Sequence, residues 1–479
     1  MKKSLSKNAF LSAIRVFANV LFPLVTYPYL TRVLSVDGIG QVDFSYSIVN
    51  YFLLMGGLGI GTFATRTGAA IREDKLKLEK FACQIFTINC ISCLISLVLL
   101  FFLLILPSSL SSYRVLILIQ SVSLICAPLG VDWLYNLEED FTYITIRSLI
   151  VQLISMVCLF LFVHSYKDLY IYVCIKTFSN GFANIFNWRY SKKYINLHFV
   201  KDTNWRDYKK SILVFFGNTI TQTIYLNSDV TLIGLLTNDF YVGLYSVATK
   251  IYNIVKQVFN AAISVAIPRL SNYVIDNKEN FFRLTYRILH FAMVIVIPAV
   301  IGLILFRKEI ILLISGNGYE KASSTLGILS VALMFAILAN IVNNGILVPL
   351  GKEDKVLKGA TISATANILL NFIFIPFFKQ DGAALTTLIA ECLMFFNGVR
   401  YIKDEFRLVI NKKDIVRIIV GCLIMVRVYI LISNHDIFYI EFSFILKIFI
   451  CGSSYILTMY LLNDSEIRYF INKFIKISK

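Results

Sequence analysis

Between Ser211 and Pro268 the polar side chains of this chain fall on two lines. On the first, Asn218, Gln222, Tyr225 and Asp229 recur at steps of four, three and four. On the second, Ser246, Lys250, Asn253, Gln257, Asn260 and Ser264 alternate steps of four and three. Residues spaced in this way share one face of a helix. Their chemistry is that of a binding surface. Amides hydrogen-bond hydroxyls, an ammonium attracts an anion, and a carboxylate takes up a proton or a cation. A third line, Lys176, Asn180, Asn184 and Asn187, has the same character, and Ser12, Arg15, Asn19 and Thr26 make a thinner fourth. Glu391 and Arg427 stand in otherwise apolar surroundings. The residues around these lines are hydrophobic. In lipid, an amide or charge turned toward hydrocarbon is costly, so the lines are expected to face a cavity or another helix.

The elements that carry them are set by composition. Of 479 residues, 57% are hydrophobic and only 16% charged, and the mean hydropathy is +0.72. Apolar runs of roughly twenty residues, each long enough to cross a bilayer, recur from end to end. The reading is an all-α polytopic membrane protein of about fourteen transmembrane helices. The first span covers about 10–30. Arg15, Asn19, Pro23 and Pro28 interrupt it and no small-residue cleavage site follows, so it is read as a retained helix and not a leader. The polar connector 188–210 is taken as the midpoint of the transport unit. The expected division is 1–200, 201–403 and 404–479. A weak internal echo, Asp37 to Gly40 against Asp239 to Gly243, aligns Asn50 with Asn253. It suggests two halves entering the membrane in the same sense.

Charge gives an orientation. Of the 46 Lys and Arg, 34 fall in connectors on the side of the N-terminus, 7 on the other side and 5 within spans. Both termini are therefore expected in the cytoplasm. The net charge of +17 would suit nucleic acid in a soluble protein. Here it resides in short connectors and points to anionic membrane lipids instead. Within the spans, Lys176, Lys250, Lys256 and Arg427 outnumber Asp229 and Glu391. A basic, amide-rich interior suits an anionic, sugar-bearing substrate. Helix rise puts Asp229 roughly 9 Å and Lys250 roughly 6 Å outward of their span centres, close enough in depth for an ion pair or shared water. Arg15, Arg147 and Lys447, nearer span ends, are expected to snorkel to the interface.

Several chemistries are excluded. Gly56 to Gly61 is glycine-rich but lacks a phosphate-binding lysine, and helix packing explains it better. Cys90 and Cys93 form a C-x-x-C inside an apolar span, and the four histidines are scattered. No nucleophile–base arrangement is readable. No metal, cofactor or catalytic role is expected.

Tyr27-Pro28-Tyr29-Leu30-Thr31-Arg32-Val33-Leu34 followed by Gly38-Ile39-Gly40 resembles the first-to-second helix passage of bacterial polysaccharide repeat-unit flippases, the O-antigen type. Asp132-Trp133 with Glu138 to Arg147 resembles their fourth-to-fifth connector. Val242 to Ser246, Ile267 to Ser271, and Gly382 to Glu391 match further landmarks in order. The resemblance implies the multidrug/oligosaccharidyl-lipid/polysaccharide exporter superfamily, with two six-helix bundles around a central cavity and here two extra C-terminal helices. It implies movement of undecaprenyl-diphosphate-linked oligosaccharide to the periplasmic leaflet of the inner membrane by alternating access, driven by an ion gradient. A polysaccharide polymerase and a chain-length regulator would be its partners. On that reading Lys176, Lys250 and Arg427 attract the diphosphate or acidic sugars, while Asn180, Asn218, Gln222, Asn253 and Gln257 contact glycan. Asp229 and Glu391 couple an ion. The rivals are a drug/cation antiporter of the same superfamily, which the basic interior disfavours, and a membrane polysaccharide polymerase.

Overall fold

The computed structural model describes residues 5–106, 110–264, 267–276, 278–402, 411–433 and 440–468. Helix is the only regular structure among them, as expected where lipid leaves each backbone amide to find its partner within its own segment. Two compact units divide the chain, Met1–Gly243 and Leu244–Lys479.

The first unit holds α1 (Leu5–Val33), α2 (Val36–Gly57), α3 (Ile60–Ile71), α4 (Lys75–Ile105), α5 (Arg114–Cys126), α6 (Asp132–Leu137), α7 (Phe141–Phe162), α8 (Leu169–Ser191) and α9 (Trp205–Leu236). It closes on the first turn of α10 (Asp239–Ser264). The rest of α10 opens the second unit. There follow α11 (Ile267–Asp276), α12 (Lys278–Leu305), α13 (Arg307–Ser315), α14 (Ala322–Asn340), α15 (Glu353–Ile402), α16 (Lys412–Ser433) and α17 (Ile440–Leu461). The first unit runs past residue 200 because α9 packs on α2 and α3.

Ten helices among the described residues are long and apolar enough to cross a membrane. α15 is two helices joined at Lys379, whose φ of 55° breaks it. α8, α9 and α10 have spanning length but fall below that hydropathy because they carry the polar lines. With these, the described residues accommodate the expected number of crossings. Phe102, Leu161, Phe377 and Phe449 are exposed on such helices, the pattern of a lipid-facing surface.

Helix ends are fixed locally. Ser35 accepts from Gly38 N at 3.1 Å and starts α2, while Asp74 and Asp140 cap α4 and α7 through Lys77 N and Tyr143 N. α2 gives way to α3 through Leu58 and Gly59, both left-handed. A Cβ on Gly59 would also meet the Phe215 backbone of α9 at 2.8 Å. Gly56 is pressed against Cys93, but Gly57 and Gly61 have nothing within 4 Å. Close packing thus accounts for only part of that glycine run.

The two echoing segments touch. A Cβ on Gly40 in α2 would collide with the carbonyl of Asp239, and one on Gly243 with the carbonyl of Val36. Each motif therefore supplies the glycine that lets the other's backbone approach. Tyr113 donates to Asp239 Oδ1 at 2.6 Å beside this crossing. Phe63, Phe81, Trp133, Leu134, Tyr135 and Ile212 centre the main apolar cluster of the first unit. Met293, Phe306, Met425, Tyr455 and Met459 form one in the second, where the α16–α17 hairpin packs on α12.

Candidate functional site

In the first unit the polar face of α8 meets α2. Lys176 Nζ lies 3.2 Å from Asp43 Oδ1, 5.0 Å from the Tyr46 ring centroid and 6.0 Å from that of Tyr172. The helix period explains the set. Asp43 and Tyr46 are three apart on α2, Tyr172 and Lys176 four apart on α8, so each helix presents one ring and one charge on the same side. Both charged side chains remain more than a quarter exposed. The ammonium is therefore held by a carboxylate and two π-faces yet stays reachable. Asp43 was not among the expected site residues. It lies two residues inside the expected second span, which begins at about Gln41. Its three-residue spacing to Tyr46 was the available signal.

The remaining members of the α8 line part company. Asn180 is exposed, and Asn184 sits against Gly130. Asn187 is fully buried and donates to Asp132 at 2.9 Å. Arg147 also reaches Asp132 at 2.9 Å and hydrogen-bonds Asn187. Its side chain is only 11% exposed, so it clamps α6, α7 and α8 together and does not snorkel. On the α1 line, Asn19 accepts from Gln152 of α7 at 2.7 Å. Part of each line is thus helix glue.

α9 brings Asp229 to a buried position, flanked by buried Ser228 and Thr231. Thr231 Oγ1 lies 2.9 Å from Ser47 Oγ and 3.2 Å from Tyr51 OH of α2. These hydroxyls form a seam between α2 and α9, and Asp229 lies within electrostatic reach of Tyr51 in it. Asn218 and Gln222 lie on α9, but their side chains fall outside the described residues.

In the second unit Lys256 Nζ lies 2.8 Å from Glu391 Oε1. Tyr252 OH donates to the same oxygen at 3.1 Å, and the ammonium lies 5.2 Å from the Tyr252 ring centroid. Tyr252 and Lys256 are one helical turn apart on α10, which aims both at α15. Glu391 is 5% exposed, so this carboxylate is a partner within a triad. Lys250 is half-buried on α10, and Asn253 and Gln257 are exposed on it. Arg427 is exposed on α16 and has no ion-pair partner among the described residues. At least two of the four interior cations are therefore already paired with carboxylates, which tempers the basic interior expected from counting.

A separate cluster ties the last helices to α12. His290 Nε2 donates to Asp464 Oδ2 at 3.0 Å, with both side chains buried. Asp464 Oδ1 accepts from the amides of Glu466 and Ile467. Burial pushes the Asp464 carboxyl up, but the hydrogen bond from His290 and those amides outweigh it and hold the group below its usual range. His290, Asp414 and Asp464 offer donor atoms within 4.8 Å of one another, near enough for a metal ion. Both oxygens of Asp414 are taken, however, by Arg417 at 2.8 Å and Tyr286 at 2.5 Å. The arrangement is a hydrogen-bonded clamp.

The sequence and fold can be compared with known proteins. A family described as "Polysaccharide biosynthesis protein" matches residues 5–274. A protein of Escherichia coli K12 named "Putative O-antigen transporter" is 24% identical over 85% of this chain and 99% of its own length. The "Capsular polysaccharide biosynthesis protein CapF" of Staphylococcus aureus is 23% identical over 58% of this chain and 71% of its own length. Among solved structures, the lipid II flippase MurJ in an inward closed conformation superposes with a TM-score of 0.77. It covers 97% of this chain and all of that one at 18% identity. An inward-facing multidrug transporter of the MOP superfamily gives 0.57 over 80% of this chain and 98% of that one at 14% identity. The fold is that of this superfamily, and the chain, a membrane protein, belongs to the polysaccharide biosynthesis protein family.

Proposed function

We propose that this chain flips a lipid-linked oligosaccharide, an undecaprenyl-diphosphate-bound O-antigen or capsule repeat unit, from the cytoplasmic to the periplasmic leaflet of a bacterial inner membrane, with both its termini in the cytoplasm. The observation that carries the reading is the polarity of α8, α9 and α10. They have the length of membrane-spanning helices, yet they carry too many amides, hydroxyls and charges to be lipid-facing throughout. Helices of this kind line a wet route. The names of the curated relatives point to polysaccharide as the cargo.

Residue roles follow from chemistry. Lys176 is held in place by Asp43 yet partly exposed, and it is assigned to the diphosphate with Lys250 and Arg427. A phosphate oxygen can replace the Asp43 carboxylate at the ammonium because both are anionic acceptors. Asn180, Asn218, Gln222, Asn253 and Gln257 are assigned to sugar hydroxyls. Asp229, in its hydroxyl-lined seam, and Glu391, beside Lys256, are assigned to coupling with a proton or sodium ion in an alternating-access cycle. A repeat-unit polymerase and a chain-length regulator would act on the delivered product.

The decisive experiment is reconstitution in liposomes with a defined lipid-linked oligosaccharide, scoring leaflet exchange with and without an imposed ion gradient. Exchange that depends on the protein supports the reading, and exchange at the rate of empty vesicles refutes it. In cells, Lys176→Ala and Lys250→Ala should lower surface polysaccharide at unchanged protein level. Unchanged export would remove that lysine from the site.

A further inference from the structure

α14 does not end as an α-helix. From Ile341 to Leu347 the chain winds as a π-helix, with Val348 N on Asn343 O at 2.9 Å. π-turns are rare, usually single, and concentrated at functional sites. This one carries two consecutive asparagines. Asn343 is buried, while Asn344 is exposed.

Asn344 Nδ2 donates to Asn340 Oδ1 at 2.6 Å, and Asn340 Nδ2 donates to Asn260 Oδ1 at 2.7 Å. Three amides thus run head to tail from the π-helix through the end of α14 to α10. Such a chain polarises its members and fixes their direction. Its two ends stay open among the described residues, Asn260 Nδ2 as donor and Asn344 Oδ1 as acceptor. On α10 the line continues through Gln257 and Asn253, both exposed, at steps of three and four from Asn260.

The two internal bonds can be explained as helix glue, worth about 1–2 kcal/mol in a membrane. That account does not cover the open ends or the two exposed amides beside them. Open amide donors and acceptors are costly at membrane depth unless something polar meets them. The ladder itself contains no charge, so a diphosphate is not its natural partner. A row of alternating donors and acceptors suits vicinal hydroxyls, each of which is both.

We infer that Asn260, Asn340 and Asn344, with Gln257 and Asn253, form the sugar-recognition subsite of the second unit, distinct from the lysines that meet phosphate. The π-helix holds its acceptor end in place. This rests on the flippase reading.

The test uses full-length protein in detergent and two probes. One is undecaprenyl diphosphate bearing a repeat-unit oligosaccharide, and the other is undecaprenyl diphosphate alone. The parent should bind the sugar-bearing lipid at least tenfold more tightly, about 1.4 kcal/mol. Asn344→Ala and, independently, Gln257→Ala should each remove most of that preference while leaving the Kd of the sugar-free lipid within about twofold. Gln257 makes none of the ladder's internal bonds, so its variant separates recognition from folding. The subsite falls if the parent shows no preference for sugar. It falls equally if both variants keep the preference, or if both probes weaken together. A parent that binds neither probe overturns the flippase reading as well.

Discussion

At the scale of residues, Lys176 with Asp43 and Lys256 with Glu391 form ion pairs that cross between helices. The side chain of Glu391 is the more buried of its pair, 6% exposed against 23% for that of Lys256. Removing the lysine therefore strands a carboxylate in a poorly hydrated place. Lys256→Ala is expected to cost about 2 kcal/mol, read as a lowered Tm in detergent. Replacing both partners with apolar residues, as in a Lys256→Met, Glu391→Leu double variant, should recover much of that loss. If Glu391 couples an ion, the double variant should still not transport. Asp464 gives a different signature. Its carboxyl is depressed in the folded chain, so its stabilisation is complete above the unfolded carboxyl range near pH 4 and is lost as pH falls through the folded value. Asp464→Asn should thus lower Tm at pH 7, and the gap to the parent should narrow below about pH 4. Spacing puts Lys176, Asp229 and Lys250 on polar faces. It could not reveal their partners, because Asp43 lies 133 residues from Lys176 and Glu391 lies 135 from Lys256. A period of 3.6 says which way a side chain points and nothing about which helix it meets.

At the scale of elements, glycines and turns decide where helices approach. Gly40 and Gly243 each face a backbone carbonyl of the other's helix, so a methyl group at either must push backbone apart. Gly40→Ala and Gly243→Ala are each expected to destabilise by about 1–3 kcal/mol. Gly57→Ala, in a helix with open space around it, should be neutral or slightly stabilising. A thermal-shift series on the three variants checks the contrast, and equal Tm values would show that the crossing has slack. The echo between Asp37–Gly40 and Asp239–Gly243 was visible in the chain as a faint repeat. That the two copies would pack against each other was not, since identity of motif carries no information about contact. The π-helix was invisible for a related reason. Asn343, Asn344 and Gly345 mark Ile341 to Leu347 as polar within its span, but only the hydrogen-bond register shows a π-helix. Arg147 reads as a snorkelling cation until Asp132 and Asn187 are brought to it by the folding of α6 and α8.

At the scale of the whole molecule, the class of fold was legible because lipid imposes it: apolar runs of bilayer length must be helices. The substrate is less legible, since the same fold serves cargo of several kinds. Exchange in proteoliposomes should therefore be compared across cargo, with sugar-bearing lipid diphosphate moved at least tenfold faster than a lipophilic cation. The reverse order would favour an antiporter. The His290–Asp464 bond adds a constraint of another kind, on synthesis. The two residues are 174 apart in the chain, and at about 5–20 residues per second the carboxylate follows the imidazole by roughly 10–35 s. Throughout that interval α12 carries a histidine whose partner has not yet been made. A ribosome that stops before Asp464 therefore leaves His290 without the carboxylate that holds it in the finished chain.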